Sequence, residues 1–473
     1  GLFTDTVNGG AGIDSLIINY SGITSLSDFA FSTSDDYMVL SDLSGGRIRY
    51  KSIESLTVGS YTYEQVTGQY HNQYFWSSDE HKIYMYDNGT EVSGDFNYGN
   101  PDPTGFSKTR TLSVIGSSGY DIFKMENANR SVSTGNLILS MGSGDDLLLK
   151  AKLKNTDSID MGSGNDSIDL EVGASGTSTF GSVSFVKLDG GLGKDSLDFT
   201  RSSGTTNATL TLTFGNATNF ENIIGSSKPE TIQGNSDDNI LVGDGDNSTI
   251  SSSPIGTDTL YGYGGDDILV AGSNGSTDNW NMARIGTLSQ YISYLNHGDN
   301  TGNDKLYGGS GNDTLIGSVA DNELDGGTGT DTIYSGNGSD TIVLRSGDGS
   351  TTLSSADVVK DFSDGNDILG MASVSFDDLT IAQGSGSYAS HTLISVTSTG
   401  EYLAILENVS ASNITVTDFA STSTSNQTLV GTSSNNTLIG GAGNDTITTG
   451  SGTDMILSGS GDDVIIIDGI GNK

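Results

Sequence analysis

The stretch that decides the fold is GGSGNDTLI-GSVADNELD-GGTGTDTIY-SGNGSDTIV, residues 308–343. It repeats every nine residues, and its sixth position holds Asp313, Asn322, Asp331 and Asp340. Two positions further on, each repeat places one large apolar residue, either Leu or Ile. Self-similarity at a short fixed period indicates a solenoid of stacked structural units, each of which buries its apolar side chain against its neighbours.

The residues of this repeat predict a tight turn followed by a short strand. Glycines let the backbone curl and turn its carbonyl groups inward, where a Cβ would obstruct them. The sixth-position Asp adds a carboxylate oxygen near those carbonyls, and the following strand directs one apolar side chain inward. Two nonapeptides make one coil, so Asp313 pairs with Asp331, and Asp445 with Asp463, at a spacing of 18 residues. The sequence therefore predicts an all-β protein, a parallel β-roll or β-helix solenoid.

The same element occurs in three further parts of the chain. Residues 431–466 repeat it in strict register, with Asn436, Asp445, Asp454 and Asp463 in the sixth position. An interrupted block over residues 225–272 places Glu230, Asn239, Asp258 and Asp267 there. Upstream, the element is sparse and predicts coils with larger loops: GGAGIDSLI from residue 9, MGSGDDLLL from 141, MGSGNDSID from 161 and GGLGKDSLD from 190.

Composition and turn chemistry together predict bound calcium. The net charge is −39, and Asp outnumbers Glu by 48 to 11. Calcium takes six to eight oxygen ligands in flexible geometry, and carboxylates and carbonyls from stacked turns supply them. One buried Leu or Ile stabilises a repeat by about 1.5–3 kcal/mol, less than the cost of ordering nine residues at roughly 1–2 kcal/mol each. Folding is therefore expected to depend on the cation.

The candidate calcium ligands are the aspartates of these turns. The upstream copies are equally consistent with metal sites and with plain glycine turns of a β-helix. Glu230, Asn239, Asn322 and Asn436 are expected to form caps or weakened sites, because Asn carries no charge and Glu is longer. The candidates are Asp14, Asp146, Asp166, Asp195, Asp246, Asp258, Asp267, Asp304, Asp313, Asp331, Asp340, Asp445, Asp454 and Asp463.

Three segments interrupt the repeat. An aromatic-rich segment predicts an inserted β subdomain, in which Tyr74 and Trp76 either form its core or contact a partner. Residues 278–296 predict a helix with Asp278 as its N-cap. Its apolar face contains Ile285, Leu288, Ile292 and Leu295, and this face either covers the roll or contacts a neighbouring subunit. Trp280 is a further candidate for contact with a partner. The predicted organisation is: 1–59, a solenoid start continuing from a missing upstream part; 60–108, the aromatic-rich subdomain; 109–224, a β-helix; 225–350, a β-roll with a helical insertion at 273–301; 351–419, a non-repeat β segment; 420–430, a linker; and 431–473, a C-terminal β-roll.

Several function classes find no support in the sequence. The chain has no Cys, which excludes disulfides and thiolate metal sites. No run of 18 apolar residues predicts a transmembrane helix. The four His are far apart and no HExxH motif occurs, so a zinc protease is not predicted. The acidic charge disfavours nucleic-acid binding.

Over residues 225–345 and 431–467, and more loosely over 1–224, the sequence resembles the RTX (repeats-in-toxin, hemolysin-type) calcium-binding family. The resemblance implies a right-handed parallel β-roll, Ca²⁺ in the GGxGxD turns, and type I secretion to the extracellular medium or bacterial cell surface. Within that family, which is diverse, we expect a non-enzymatic, self-assembling S-layer-like surface protein. The alternatives are an adhesin that binds a ligand such as cell-surface polysaccharide, and the secretion module of a larger exoenzyme.

Overall fold

The chain is described here from a computed structural model. The residues that the structure describes are 4–19, 21–34, 37–42, 44–67, 73–77, 82–85, 90–95, 111–126, 135–172, 183–202, 205–244, 256–272, 288–294 and 302–468.

Strands dominate the described residues, and a single short α-helix, α1 (Leu288–Tyr294), occurs among them. The strands up to residue 224 are β1 Thr4–Asn8, β2 Ser15–Ile18, β3 Phe29–Ser34, β4 Tyr37–Asp42, β5 Arg47–Lys51, β6 Ser55–Val58, β7 Tyr61–Thr67, β8 Gln73–Ser77, β9 Lys82–Met85, β10 Thr90–Asp95, β11 Leu112–Ile115, β12 Asp121–Glu126, β13 Leu137–Ser140, β14 Leu147–Ala151, β15 Ser158–Asp160, β16 Ser167–Leu170, β17 Lys187–Asp189, β18 Ser196–Asp198, β19 Ala208–Thr211, β20 Ala217–Thr218 and β21 Asn222–Ile224.

The strands after residue 224 are also short, because each nine-residue repeat contains both a turn and a strand. They are β22 Glu230–Gln233, β23 Ile240–Asp244, β24 Thr259–Gly264, β25 Ile268–Gly272, β26 Lys305–Ser310, β27 Thr314–Ser318, β28 Glu323–Thr328, β29 Thr332–Gly336, β30 Thr341–Arg345, β31 Val358–Val359, β32 Ile368–Ala372, β33 Leu379–Gln383, β34 Thr392–Val396, β35 Tyr402–Leu406, β36 Phe419–Ser421, β37 Thr428–Val430, β38 Thr437–Ile439, β39 Thr446–Thr448, β40 Met455–Leu457 and β41 Val464–Ile466.

Single 3₁₀ turns also occur. They span Leu26–Asp28, Phe214–Asn216, Leu353–Ser355, Phe376–Asp378, Gly386–Tyr388 and Val416–Asp418.

The chain forms two compact units. The first comprises residues 1–206, 211–224 and 278–285, and the second comprises 207–210, 225–277 and 286–473. In the first unit, consecutive strands along the chain belong alternately to two parallel sheets. One sheet contains β10-β12-β14-β16-β18-β21 in that order, and the other contains β11-β13-β15-β17-β20. Leu148, Ile168, Leu197 and Ile223 stack in register, fully buried, in the interior. This unit is a parallel β-solenoid.

The aromatic segment differs from the predicted inserted subdomain. Strands β7, β8 and β9 run antiparallel and continue the sheet from β6 to β11. Tyr63 and Tyr84 are fully buried in the same core cluster as Leu56, with their rings edge to face at 5.6 Å. The side chains of Tyr63 and Tyr84 therefore help to fill the solenoid core. Tyr74 and Trp76 lie on β8, but their side chains are outside the described part of the structure.

The second unit is a β-roll with the predicted 18-residue coil. Its parallel sheets are ordered β23-β25-β27-β29-β31-β35 and β22-β24-β26-β28-β30-β32-β36, and β33 and β34 extend the first of them antiparallel. Leu306 faces Leu324, Leu324 faces Ile342, and Leu315 faces Ile333 across neighbouring coils. These residues are at most 2% exposed, so the predicted apolar position forms the core.

The C-terminal repeats form a smaller roll within the second unit. Strands β37, β39 and β41 form one parallel sheet, and β38 and β40 form the other. Ile447 is fully buried, but Ile465 on the last strand is 48% exposed. The predicted linker 420–430 is not wholly irregular, because it contains parts of β36 and β37.

The helical insertion is described only over α1. Tyr291 is buried, Ile292 is half-buried and Leu288 is 39% exposed. Asp278, Trp280, Ile285 and Leu295 lie outside the described residues. In the part of the chain that is described, no helix has the length and apolar character needed to cross a membrane.

Candidate metal centre

The sixth-position residues form ladders along the edges of the solenoid. Each lies immediately before or at the start of a strand, and its carboxylate reaches back to the preceding coil. The backbone N–H of Asp313 donates to Oδ1 of Asp331 at 2.8 Å, and that of Asp267 donates to Oδ1 of Asp313 at 2.8 Å. One carboxylate oxygen per residue thus satisfies a backbone donor that would otherwise be buried without a partner.

The ladders run through both units. Consecutive members are joined by the same N–H to carboxylate, or N–H to amide, hydrogen bond. In the first unit the row is Asp121, Asp146, Asp166, Asp195 and Glu221. In the second unit the rows are Glu230, Asp258, Asp304, Asn322, Asp340 and Asp367 on one edge, Asn239, Asp267, Asp313, Asp331 and Asp357 on the other, and Gln427, Asp445 and Asp463 beside Asn436 and Asp454 in the C-terminal roll.

The second carboxylate oxygen of most of these residues has a different environment. Within the described part of the chain, it is buried and has no hydrogen-bond partner at Asp14, Asp146, Asp166, Asp195, Asp258, Asp304, Asp313, Asp331 and Asp340. Buried polar atoms are normally satisfied, so a whole series of orphan oxygens at one repeat position requires an explanation.

In the turns that begin with glycine, the first glycine makes room for this second oxygen. A Cβ on Gly190 would lie 2.7 Å from Oδ2 of Asp195, and one on Gly243 would lie 2.8 Å from Oδ2 of Asp258. Glycine therefore lets the backbone approach the carboxylate more closely than any other residue would allow. The second oxygen faces turn backbone, where carbonyl oxygens are the other available ligands.

Burial makes these carboxylates hold protons in the absence of a cation. It raises the pKa of Asp313 and Asp331 to about 7 and that of Asp340 to about 8, and neighbouring carboxylates add to the effect. The backbone hydrogen bond to Oδ1 opposes the shift in each case. The same cause raises the pKa of Asp166, Asp195 and Asp304 to about 7 and that of Asp146 to about 8.

These residues fit a calcium ion. The donors are oxygens only, the ligands come from flexible turns, and each carboxylate becomes negative when the ion displaces its proton. The orphan oxygens are the atoms that would coordinate it. A bound cation would supply the missing positive charge, while Oδ1 continues to hold the neighbouring coil in register.

The predicted ligands occupy this arrangement to different extents. Asp445 is buried, but its Oδ2 accepts the N–H of Gly441 at 3.0 Å, while Asp454 and Asp463 are half-buried. Asp14 is half-buried, and its N–H donates to Oε2 of Glu54 at 2.7 Å. Asp246 lies outside the described residues.

The positions without Asp are closed by hydrogen bonds between protein groups. The amide Nδ2 of Asn322 donates to Oγ of Ser318 at 2.9 Å and to the carbonyl of Ala320 at 2.7 Å. Glu230 accepts the N–H of Ser226 at 2.8 Å. At these positions the side-chain oxygens are engaged by protein groups, and the assignment as caps or weakened sites stays a prediction.

Sequence analysis missed several members of the ladders because no G-x-G precedes them. They share a simpler pattern, an acidic residue followed two positions later by a buried apolar one: Phe123, Ile159, Ile223, Val359 and Leu369 are all at most 1% exposed. The missed ladder members are Asp121, Glu221, Asp357 and Asp367. Glu54 and Asp157 accept a backbone N–H from an earlier part of the chain in the same way.

Comparison with known families agrees with this geometry. The family model of the RTX calcium-binding nonapeptide repeat matches residues 220–250, 255–277 and 430–465. The chain contains RTX calcium-binding repeats. The model of the peptidase M10 serralysin C-terminal domain matches residues 276–385, which include the repeats quoted first above. The RTX repeats bind calcium ions, and both matches are to families of secreted proteins.

Comparison with curated proteins gives no match. Seventeen chains of solved structures match, among them extracellular lipase LipA from Serratia marcescens. That match has 13% identity and a TM-score of 0.19, and it covers 67% of this chain and 41% of the lipase chain. The RTX assignment rests on the repeats and the ladder geometry.

Proposed function

We propose that this RTX protein is a calcium-conditioned structural protein of the cell surface, with no catalytic role of its own. The observation that carries the proposal is the series of buried carboxylates that hold neighbouring coils in register through Oδ1 and leave Oδ2 for a cation. Without the cation, these carboxylates must either stay protonated or bring like charges together in a low-dielectric interior. With it, the binding free energy becomes folding free energy.

The finer proposal is self-association into an S-layer-like array. It is supported by the exposed apolar side chains of the last described coil, where Val464, Ile465 and Ile466 are 45–55% exposed on β41. Contiguous exposed apolar residues on a strand favour contact with another protein surface. A second copy of the chain is the partner we propose.

Circular dichroism and light scattering during one calcium titration test both levels of the proposal. β-structure should appear first and scattering second, and EGTA should reverse both, whereas equimolar Mg²⁺ should do neither. Val464→Thr should weaken scattering without changing the dichroism, while Val186→Thr, at a position 72% exposed, serves as the matched control. A chain fully ordered in EGTA would refute the calcium role, and an ordered chain that stays monomeric at saturating calcium would refute self-association.

The serralysin C-terminal match favours a second candidate, the non-catalytic module of a larger exoenzyme. Peptidase activity in the product of the complete gene, absent from residues 1–473 alone, would support it. The adhesin alternative predicts polysaccharide binding that is lost in a Tyr74→Ala, Trp76→Ala double variant with unchanged circular dichroism.

A further inference from the structure

One edge of the second unit contains a cluster unlike the other ladder positions. Asp244, the last residue of β23, meets Asp258 and Asp304, which precede β24 and β26. Each offers one carboxylate oxygen, and these oxygens all lie within 4.8 Å of one another. The three side chains are 4%, 0% and 1% exposed. Oδ2 of Asp258 and Oδ2 of Asp304 have no hydrogen-bond partner within the described structure.

The strand register shows that Asp244 takes the place of a small neutral residue. β23 pairs with β25 so that Asp244 faces Gly272, and β27 pairs with β29 so that Ser318 faces Gly336. In two other coils of this unit the position is Ser, and its side chain hydrogen-bonds the ladder residue four positions later, which is Glu in one coil and Asn in the other. Ser226 donates to Glu230, and Asn322 donates to Ser318.

At Asp244 the equivalent pairing brings acid against acid. Asp258 and Asp304 are already linked, because the N–H of Asp258 donates to Oδ1 of Asp304 at 2.7 Å. A third carboxylate in this buried space adds a negative charge where other coils place Ser or Gly. The arrangement calls for a cation in direct contact with all three side chains.

We propose that Asp244, Asp258 and Asp304 together bind one large, hard cation through three carboxylates, with higher affinity than the ladder sites that lack a third acid. The inference rests on the proposed calcium function and deepens it. Ca²⁺ is the physiological ion, because Mg²⁺ keeps several waters and suits a buried, dehydrated site poorly. Trivalent lanthanide ions share the oxygen preference of Ca²⁺ and match the three negative charges.

A Tb³⁺ titration of the full chain in competition with Ca²⁺ tests this site. We expect the wild type to show one tight equivalent, separate from the other sites. Asp244→Asn and Asp244→Ser should weaken that equivalent at least tenfold and leave the weaker ones in place. Ser occupies the aligned position at Ser318, so the second variant keeps a side chain that the roll already accommodates. Asp237→Asn removes the same charge from an exposed residue and should change nothing.

The inference would be overturned if both Asp244 variants bound the tight Tb³⁺ equivalent as strongly as the wild type does. It would also be overturned if the wild type showed no separate class of tightly bound Tb³⁺. Should a variant fail to give the β-sheet dichroism at saturating calcium, anomalous diffraction from Tb³⁺-soaked wild-type crystals decides: density among the three carboxylates supports the site, and its absence refutes it. Loss of all calcium binding by the wild type would instead refute the proposed function.

Discussion

Replacing Asp331 with Asn separates the two tasks of a ladder carboxylate. Asp331 is fully buried. Its Oδ1 accepts the N–H of Asp313 at 2.8 Å, and its Oδ2 has no hydrogen-bond partner. Asn keeps an acceptor for the backbone N–H and removes both the charge and one oxygen ligand. Asn322 shows that the roll accepts an amide at such a position, because its Nδ2 donates to the carbonyl of Ala320.

The magnitude follows from the pKa of Asp331, which burial raises from 3.8 to about 7. A shift of about three units at about 1.4 kcal/mol each makes the ionised group unfavourable by on the order of 4 kcal/mol. Allowing for water near the turn, we expect about 2–4 kcal/mol. Because the folded-state pKa lies above the unfolded one, the stability of the protonated form is complete below pH about 4 and is lost as the pH rises through about 7.

In chelator at pH about 8, Asp331→Asn should therefore be more stable than the wild type by about 2–4 kcal/mol. The difference in the free energy of unfolding between the calcium-loaded and the chelated protein should become smaller by about 4 kcal/mol. This is the contribution of one site when the calcium concentration is about a thousand times Kd. Denaturation followed by circular dichroism measures both, with trimethylamine N-oxide in all samples to populate the chelated roll. Asp364→Asn, at an exposed position, is the control. A variant that is less stable than the wild type in chelator, with that difference unchanged, would refute this reasoning and leave the aspartates a purely structural role.

Three further predictions test other parts of the account. Acidifying the chelated protein from pH about 8 to about 4 should restore β-structure in circular dichroism. The reason is that Asp146 and Asp340, with pKa values raised to about 8, then carry protons in place of a cation. A chelated chain that loses β-structure on acidification would contradict this prediction. Gly326→Ala should cost about 1–3 kcal/mol and raise the calcium midpoint of folding, since the new Cβ would lie 2.8 Å from Cγ of Asp331; a wild-type midpoint in the calcium titration would show that this glycine is not needed. Leu315→Ala, at a fully buried position, should lower the free energy of unfolding in calcium by about 2–5 kcal/mol, measured by chemical denaturation. Ile465→Ala, at a position 48% exposed, should lower it by less than about 1 kcal/mol. Equal losses of stability would mean that the core does not follow the repeat.

The nine-residue period was sufficient to predict how the strict repeats of the second unit stack. Spacing alone placed Asp313 over Asp331, and the structure confirms that pairing through one hydrogen bond of 2.8 Å. Local repetition has this power because every coil has the same length, so sequence distance converts directly into position. The upstream coils are 20 to 29 residues long in the ladder from Asp121 to Glu221. Unequal loops hide the period there, although each ladder residue still precedes a buried apolar one.

Other features depended on contacts that no local pattern encodes. Tyr63 and Tyr84 lie on antiparallel strands that complete a core formed by residues from several coils, so their density in sequence did not distinguish core from subdomain. Asp244 was missed because its partners, Asp258 and Asp304, are distant in the chain and separated from it by insertions. Only the superposition of coils shows that a carboxylate has replaced a serine or a glycine.

The ladder also implies that calcium sites within one row are coupled. Each sixth-position residue uses its N–H to orient the next carboxylate, so ordering one coil positions a ligand of its neighbour. The row of Asp267, Asp313 and Asp331 is continuous in acidic residues, whereas the row of Asp258, Asp304 and Asp340 is divided by the neutral Asn322. Cation binding should therefore be more cooperative along the first row, where Oδ2 of Asp313 and Oδ2 of Asp331 have no hydrogen-bond partner in the described structure. A neutral residue such as Asn322 keeps the coils in register but interrupts the cooperative binding of cations along the row. The alternation of Asp and Asn along an edge therefore determines how many coils fold as one calcium-dependent unit.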